Sequence, residues 1–427
     1  MASVRKRVWT HKGVERTAWV VDYTDQSGKR RMLTEKSKKD ADRARIRIEA
    51  DIEAGVHTHK SESVTVAKAV EEFLGNCERR RKVGDRMTGQ TLASYRYVLE
   101  NHVVASIGAL RLCNLEAHHV QAVIDEKIGD FSQTTVRKIH DVLHLLLAYA
   151  VKKKWAKRNI LRDDPVSLPR GGKRRVYVPS KAELKTLISA ALDLENEQAL
   201  TWVNRLVFVC LGAFGGLRKG EIAGLQWSDV DFDKEVIHIR HSQSYHDGLK
   251  EPKTQAGVRD VPMSAPIRFA LLEVIRYWQT QNAERWNRDY HDITLRKAKL
   301  RSFLRKDEEP DLENLPSGHV LVTKIGKPIT VNQNKMFWTP LMKKAGLMVG
   351  DRPLFSPHAL RHAAASLFIE NGLPAINLKT VMGHSSVTIT YDVYGHLFPE
   401  DDRLRQASAA IAADLGAAMT RQTTLLN

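Results

Sequence analysis

Met382-Gly383-His384-Ser385-Ser386 leads into Thr388-Ile389-Thr390-Tyr391-Asp392-Val393-Tyr394-Gly395-His396. Taken alone, a Gly-His pair is a turn that holds a structural histidine, and its weight comes from the company it keeps. Upstream stands His358-Ala359-Leu360-Arg361-His362, directly after Pro357, where a helix should open. His358 and Arg361 then fall three apart on one helical face, so that the pair can grip one anion. Further upstream, Gly215-Gly216-Leu217-Arg218-Lys219-Gly220-Glu221-Ile222 brackets an arginine with glycines at the end of an apolar helix. Such an arginine can simply bond the last helical carbonyls. Its planar guanidinium is equally the group best matched to the non-bridging oxygens of a phosphate.

Composition narrows the class of partner. The 427 residues carry 67 Lys+Arg against 50 Asp+Glu, a formal charge of +17, which suits a polyanion such as nucleic acid without naming one. The length implies about two to four domains. Cys77, Cys113 and Cys210 are scattered, with no spacing that suggests a disulfide framework or a zinc site. The basic start, Met1 to Trp9, lacks the apolar stretch of a signal peptide, and the run Leu206 to Leu217 is too short to span a bilayer. A cytoplasmic, nucleoid-associated protein is the expectation.

The chain reads as multidomain, mainly α with small β-sheets. Residues from about Trp9 to Thr34 look like short strands, with a turn at Asp25-Gln26-Ser27-Gly28. Ser37 should cap a helix from Lys38 to Ala54. This α+β unit, residues 1–60, holds 15 Lys/Arg and 9 Asp/Glu. Over 64–165 the apolar spacing is helical, as in Val136-Ile139-Leu143-Leu146-Leu147, and predicts a bundle. Residues 166–177, with Arg170-Gly171-Gly172-Lys173-Arg174-Arg175, read as a basic linker able to lie along phosphates. In the mixed α/β region 178–405, Ser180 should cap a helix to Ala191, and an apolar helix should run from Ala199 to Phe214. Val236 to Ser242 should be a strand, Lys250 to Pro262 a strand-turn-strand, and Ile267 to Lys306 a charged helix with an insertion over 275–315. Residues 406–427 form a tail.

With these residues in place, the order GLRKGEI, HALRH, MGHSS and a following tyrosine resembles the tyrosine recombinase (phage integrase) family. The resemblance covers about Val178 to Glu400. More loosely, 64–165 resembles that family's core-site DNA-binding domain and 1–60 its arm-type DNA-binding domain. Glu251-Pro252-Lys253-Thr254-Gln255-Ala256-Gly257-Val258-Arg259 resembles the strand-turn that carries an essential lysine. The resemblance implies an integrase of a prophage or mobile element that cleaves and rejoins DNA through a 3′-phosphotyrosyl intermediate, integrating or excising its genome. By the same resemblance Arg218 and Arg361 hold the phosphate, His384 adds a hydrogen bond, Lys253 protonates the 5′ oxygen and His358 helps accept the tyrosine proton. Glu221 supports the network and Tyr394 is the nucleophile, whereas Tyr391 packs. No cofactor is implied. The partners implied are double-stranded DNA at core and arm-type sites, a homotetramer on that DNA, and accessory DNA-bending proteins.

Three other readings compete. A type IB topoisomerase would use similar residues, yet an N-terminal arm unit plus a core-binding bundle suits assembly of several protomers on two DNA sites. A catalytically silent DNA-binding regulator would not need the full residue set. A metalloenzyme would use the i, i+4 spacing of His358 and His362, but no acidic residue completes a metalloprotease pattern and no third ligand is near in sequence.

Overall fold

The computed structural model describes residues 2–12, 14–25, 28–53, 63–85, 87–169, 176–193, 199–252, 254–286, 310–313, 315–323, 326–330, 334–398 and 408–413. It falls into two compact units, Met1–Arg174 and Arg175–Asn427. The basic stretch 170–175, Lys253, expected to be the essential lysine, and most of the 275–315 insertion lie outside the described residues.

In the first unit β1 (Ser3–His11), β2 (Val14–Thr24) and β3 (Arg30–Glu35) form an antiparallel sheet in that order. The sheet begins six residues earlier than the sequence reading placed it. The basic residues of β1 obscured its strand character, because it pairs along its whole length with β2 and leaves most of its side chains exposed. The helix Lys38–Glu53 covers one face, where Val21, Tyr23, Ala41, Ala44 and Ile48 are buried. Ser37 caps it as expected, its Oγ accepting from the Asp40 amide at 3.1 Å.

A separate core follows. The helices Val66–Lys82, Gly89–Val98, Ala117–Lys127 and Gln133–Lys152 bury Phe73, Leu74, Leu99, Ile124, Ile139, Leu143 and Leu146 among them. Thr65, Thr88 and Ser132 cap three of these helices. The second helix runs into a π-helical turn, Leu99–Val104.

The second unit is built round the helix Ala199–Ala213, whose Leu206, Val207, Phe208 and Leu211 are buried. A helix so largely apolar belongs in the middle of a core, and its buried Asn204 and Arg205 are bonded there to backbone carbonyls. It packs against the helices Lys181–Leu192, Ala265–Trp286 and His358–Glu370. Ser180 forms a reciprocal capping box with Glu183. A sheet in the order β4 (Val230–Asp231), β5 (Val236–Ile239), β8 (Arg259–Pro262) lies beside a two-stranded ribbon of β6 (Ser242–Ser244) and β7 (Gly248–Lys250). One expectation is corrected here. Val236 to Ser242 is not one strand, since the chain leaves β5 at Ile239 and re-enters as β6. Lys250 to Pro262 runs from strand to turn to strand as expected, β7 ending at Lys250 and β8 following the 3-10 turn Gln255–Gly257, although β7 and β8 pair with different partners. The helices Ala375–Met382 and Val387–Tyr394 close the unit.

Candidate active site

Two turns place the site. The helix Ala199–Ala213 ends at Gly215-Gly216, and Gly216 takes φ +63°, a left-handed conformation that suits glycine. The chain then reverses so that Arg218 becomes the N-cap of the helix Lys219–Gly224. There Glu221 accepts from the Arg218 amide at 2.8 Å and from its Nη1 at 2.8 Å, so one carboxylate caps the helix and orients the guanidinium. Arg218 Nη2 donates to the Gly383 carbonyl at 2.9 Å. Its side chain remains 38% exposed.

Glu221 is buried, and its main partner is a residue the sequence reading passed over. Arg259 on β8 donates from Nη1 and Nη2 to the two carboxylate oxygens at 3.1 and 2.9 Å, and from Nε to the Val381 carbonyl at 2.6 Å. A bidentate pair of this kind is the strong form of the interaction. Burial alone would raise the Glu221 carboxyl, but Arg259 first and Arg218 next hold it down at about 2. The signal for Arg259 was strand parity. Arg259, Val261 and Met263 alternate, and all three side chains point inward.

Gly383 is the hinge of the site. It ends the helix Ala375–Met382 in the left-handed conformation, φ +63° and ψ +46°. A Cβ there would lie 2.9 Å from Arg259 Nη1 and 3.0 Å from the Ala256 carbonyl oxygen. The same turn supplies the Met382 carbonyl, which Arg361 Nη2 meets closely, while Arg361 Nη1 donates to the Gly216 carbonyl at 2.5 Å. Arg361 is buried, and burial together with Arg218 lowers its pKa to about 9, which still leaves it charged at neutral pH. His384 follows in the turn, with Nδ1 2.9 Å from Thr390 Oγ1. Burial and the arginines, Arg361 foremost, push its pKa down to about 4, so the ring is neutral at physiological pH.

Tyr394 ends the helix Val387–Tyr394, capped by Ser386, and is 2% exposed. Its ring packs with Ala365, Ile369, Leu378 and Met382, and stacks on His384 with centroids 6.3 Å apart and planes 11° apart. Burial pushes its phenol up to about 12, against the opposing pull of Arg361 and Arg218. Its hydroxyl lies 2.7 Å from Nδ1 of His362, one turn along from His358. His358 is exposed and meets His362 edge-on, with ring centroids 4.8 Å apart. Tyr391, expected to pack, is instead 54% exposed, with its ring 5.6 Å from that of Phe398. Arg218, Glu221, Arg361, His384 and Tyr394 are thus one connected cluster with His358 at its edge, and Lys253 lies outside the described residues.

What this cluster offers is a phenol beside fixed cationic donors, the equipment for attack on a phosphodiester. No helix among the described residues is long and apolar enough to cross a membrane. A sequence model of the phage integrase family matches residues 180–401. The integrase of Streptomyces ambofaciens is 24% identical over 394 residues, covering 90% of this chain and 90% of its own. A "Tyrosine recombinase XerC-like" protein of Caldanaerobacter subterraneus is 24% identical over 282 residues, 63% of this chain and 64% of that one. Among solved structures, the Tn1549 transposon integrase in complex with a circular intermediate DNA shares the fold at 19% identity and a TM-score of 0.59, covering 82% of this chain and all of that one. The chain belongs to the phage integrase family, the tyrosine-type site-specific DNA recombinases.

Proposed function

We propose that this chain integrates and excises a prophage or other mobile element, cutting and rejoining double-stranded DNA through a 3′-phosphotyrosyl link to Tyr394. The observation that carries this reading is the Met382-Gly383-His384 turn, to which Arg218 and Arg361 are both tied while His384 stacks on the Tyr394 ring. A phosphodiester resists attack because it is anionic and its leaving alkoxide is poor. Arg218, the more open guanidinium, and Arg361 take the non-bridging oxygens, where preformed donors stabilise the charge that grows in the transition state. Neutral His384, with Nδ1 engaged by Thr390, has Nε2 to donate as a further hydrogen bond. The Tyr394 oxygen forms the bond to phosphorus as its proton leaves, with His358 assisting that departure from the edge of the cluster. The bond to the 5′ oxygen breaks, and Lys253 supplies the proton that oxygen needs. The phosphotyrosyl ester conserves the bond energy, and a 5′ hydroxyl of the partner strand reverses the step.

Because Tyr394 is buried beside His362, DNA must be brought to its hydroxyl before attack, so binding and cutting are separate events. Residues 1–60 serve as the arm-type DNA-binding domain, 64–165 as the core-site domain, 166–177 as a linker along the backbone, and 178–405 as the catalytic domain. Four copies assemble on two sites, with DNA-bending proteins assisting and the nucleoid as the location. A suicide substrate carrying the element's junction tests the reading. Wild-type and Tyr391→Phe proteins should trap a covalent complex, whereas Tyr394→Phe should bind the site and trap none. Trapping by Tyr394→Phe would falsify the assignment.

A further inference from the structure

A nucleophilic phenol must lose its proton as it attacks, and the group that receives it must touch the hydroxyl. The ring nitrogen at that oxygen, 2.7 Å away, is Nδ1 of His362. Its place is set by the helix His358–Glu370, in which His362, Ala365 and Ile369 form the i, i+3, i+7 stripe facing Tyr394. We propose that His362 is the general base of the cleavage step, taking the Tyr394 proton on Nδ1 as the Tyr394 oxygen bonds to phosphorus.

The electrons and protons balance within the site. The phenol O–H bond breaks, its proton passes to His362 Nδ1, and the oxygen's electrons form the O–P bond. The P–O5′ bond breaks, and the 5′ oxygen takes its proton from a separate acid. In the reverse step the imidazolium returns its proton to the departing phenol. Nδ1 can accept only if the neutral ring carries its hydrogen on Nε2. The groups facing His362 hold it neutral. His358 and Arg361 share its helix, and Tyr394 and His384 face it from the segment beyond. Burial first, then His358 and Arg361, lower its pKa to about 4, so its acceptor site is open throughout the neutral range. With the phenol raised to about 12, a free phenolate is scarce at neutral pH, and the proton must leave in concert with O–P bond formation, which itself acidifies the oxygen.

The inference rests on Tyr394 being the nucleophile, and the experiment separates the two. Covalent complex formation on the junction suicide substrate is timed for the wild type and for His362→Gln, each also carrying a fluorinated tyrosine at position 394, whose phenol is more acidic. The expected result is normal site binding and a loss of about 100-fold or more in rate for His362→Gln. The fluorinated nucleophile should restore much of that loss, whereas a 5′-thio leaving group should not. No complex with the wild type would refute the nucleophile itself. A wild-type rate in His362→Gln, or a loss that the acidified phenol leaves untouched, overturns the role of His362 alone. If His362→Gln does not bind the site, the wild type decides on the 5′-thio substrate, where no leaving-group proton is needed. A slowing in deuterium oxide there supports a proton in flight from Tyr394, and its absence overturns the proposal.

Discussion

Replacing Glu221 by glutamine removes one negative charge from among Arg218, Arg259 and Arg361 while keeping the size of the side chain. A carboxyl with an ordinary value of 4.5 that sits at about 2 in the folded chain contributes roughly 3 kcal/mol to stability at neutral pH. Breaking a buried ion pair from one side gives a similar figure, about 3–5 kcal/mol, because Arg259 is left buried with its charge uncompensated. The sign with pH follows from the lowered value. The contribution is complete above about pH 5 and is lost as pH falls toward 2, so the gap between wild type and Glu221→Gln should close over that range. Urea unfolding followed by tryptophan fluorescence reads it, since Trp202, Trp227 and Trp338 are all buried in the catalytic unit. Glu221→Gln with Arg259→Met should cost clearly less than the two single changes added together. Complex formation should also fall, since Arg218 loses the carboxylate that aims it, and a misplacement of about 1 Å at a reacting centre can cost about 100-fold. A stability loss below about 1 kcal/mol, or a gap that persists at pH 2, would refute the view that this carboxylate holds the arginines.

Three further outcomes are expected. Gly383→Ala should destabilise by about 1–3 kcal/mol and slow cleavage, because it combines a left-handed backbone with a Cβ 2.9 Å from Arg259 Nη1. Gly372→Ala, at φ +80° with nothing within 4 Å of the new Cβ, should cost stability but not cleavage rate, and equal effects at both glycines would contradict this. Lys253→Ala should bind DNA nearly normally yet cleave slowly, with a 5′-thio leaving group restoring the rate. If that rescue fails, Lys250, which now pairs with Asp247 at 3.2 Å, becomes the candidate acid. Deleting residues 1–60 should spare cleavage of a core site and impair integration, and full integration by the truncated protein would remove the arm-binding role.

Much of this protein was legible in its sequence because the deciding signals are local. Helix caps such as Ser37 and Ser180 act within three residues. The apolar spacing of Val136 to Leu147 needs only the helical period. Arg218, Arg361, His384 and Tyr394 stand out because glycines and short motifs surround them. What the sequence withheld depends on which segments meet. Arg259 is one more arginine in a basic chain until β8 places it 2.9 Å from Glu221, 38 residues away. His362 looked like half of a metal pair until a helix that begins 25 residues later brought Tyr394 to its Nδ1. Tyr391 and Tyr394 are equivalent by composition, and only packing leaves the first exposed and the second buried. A hydrogen bond reaches about 3 Å and its energy depends on burial, so partners distant in the chain are chosen by tertiary contact and leave no periodic trace in the sequence.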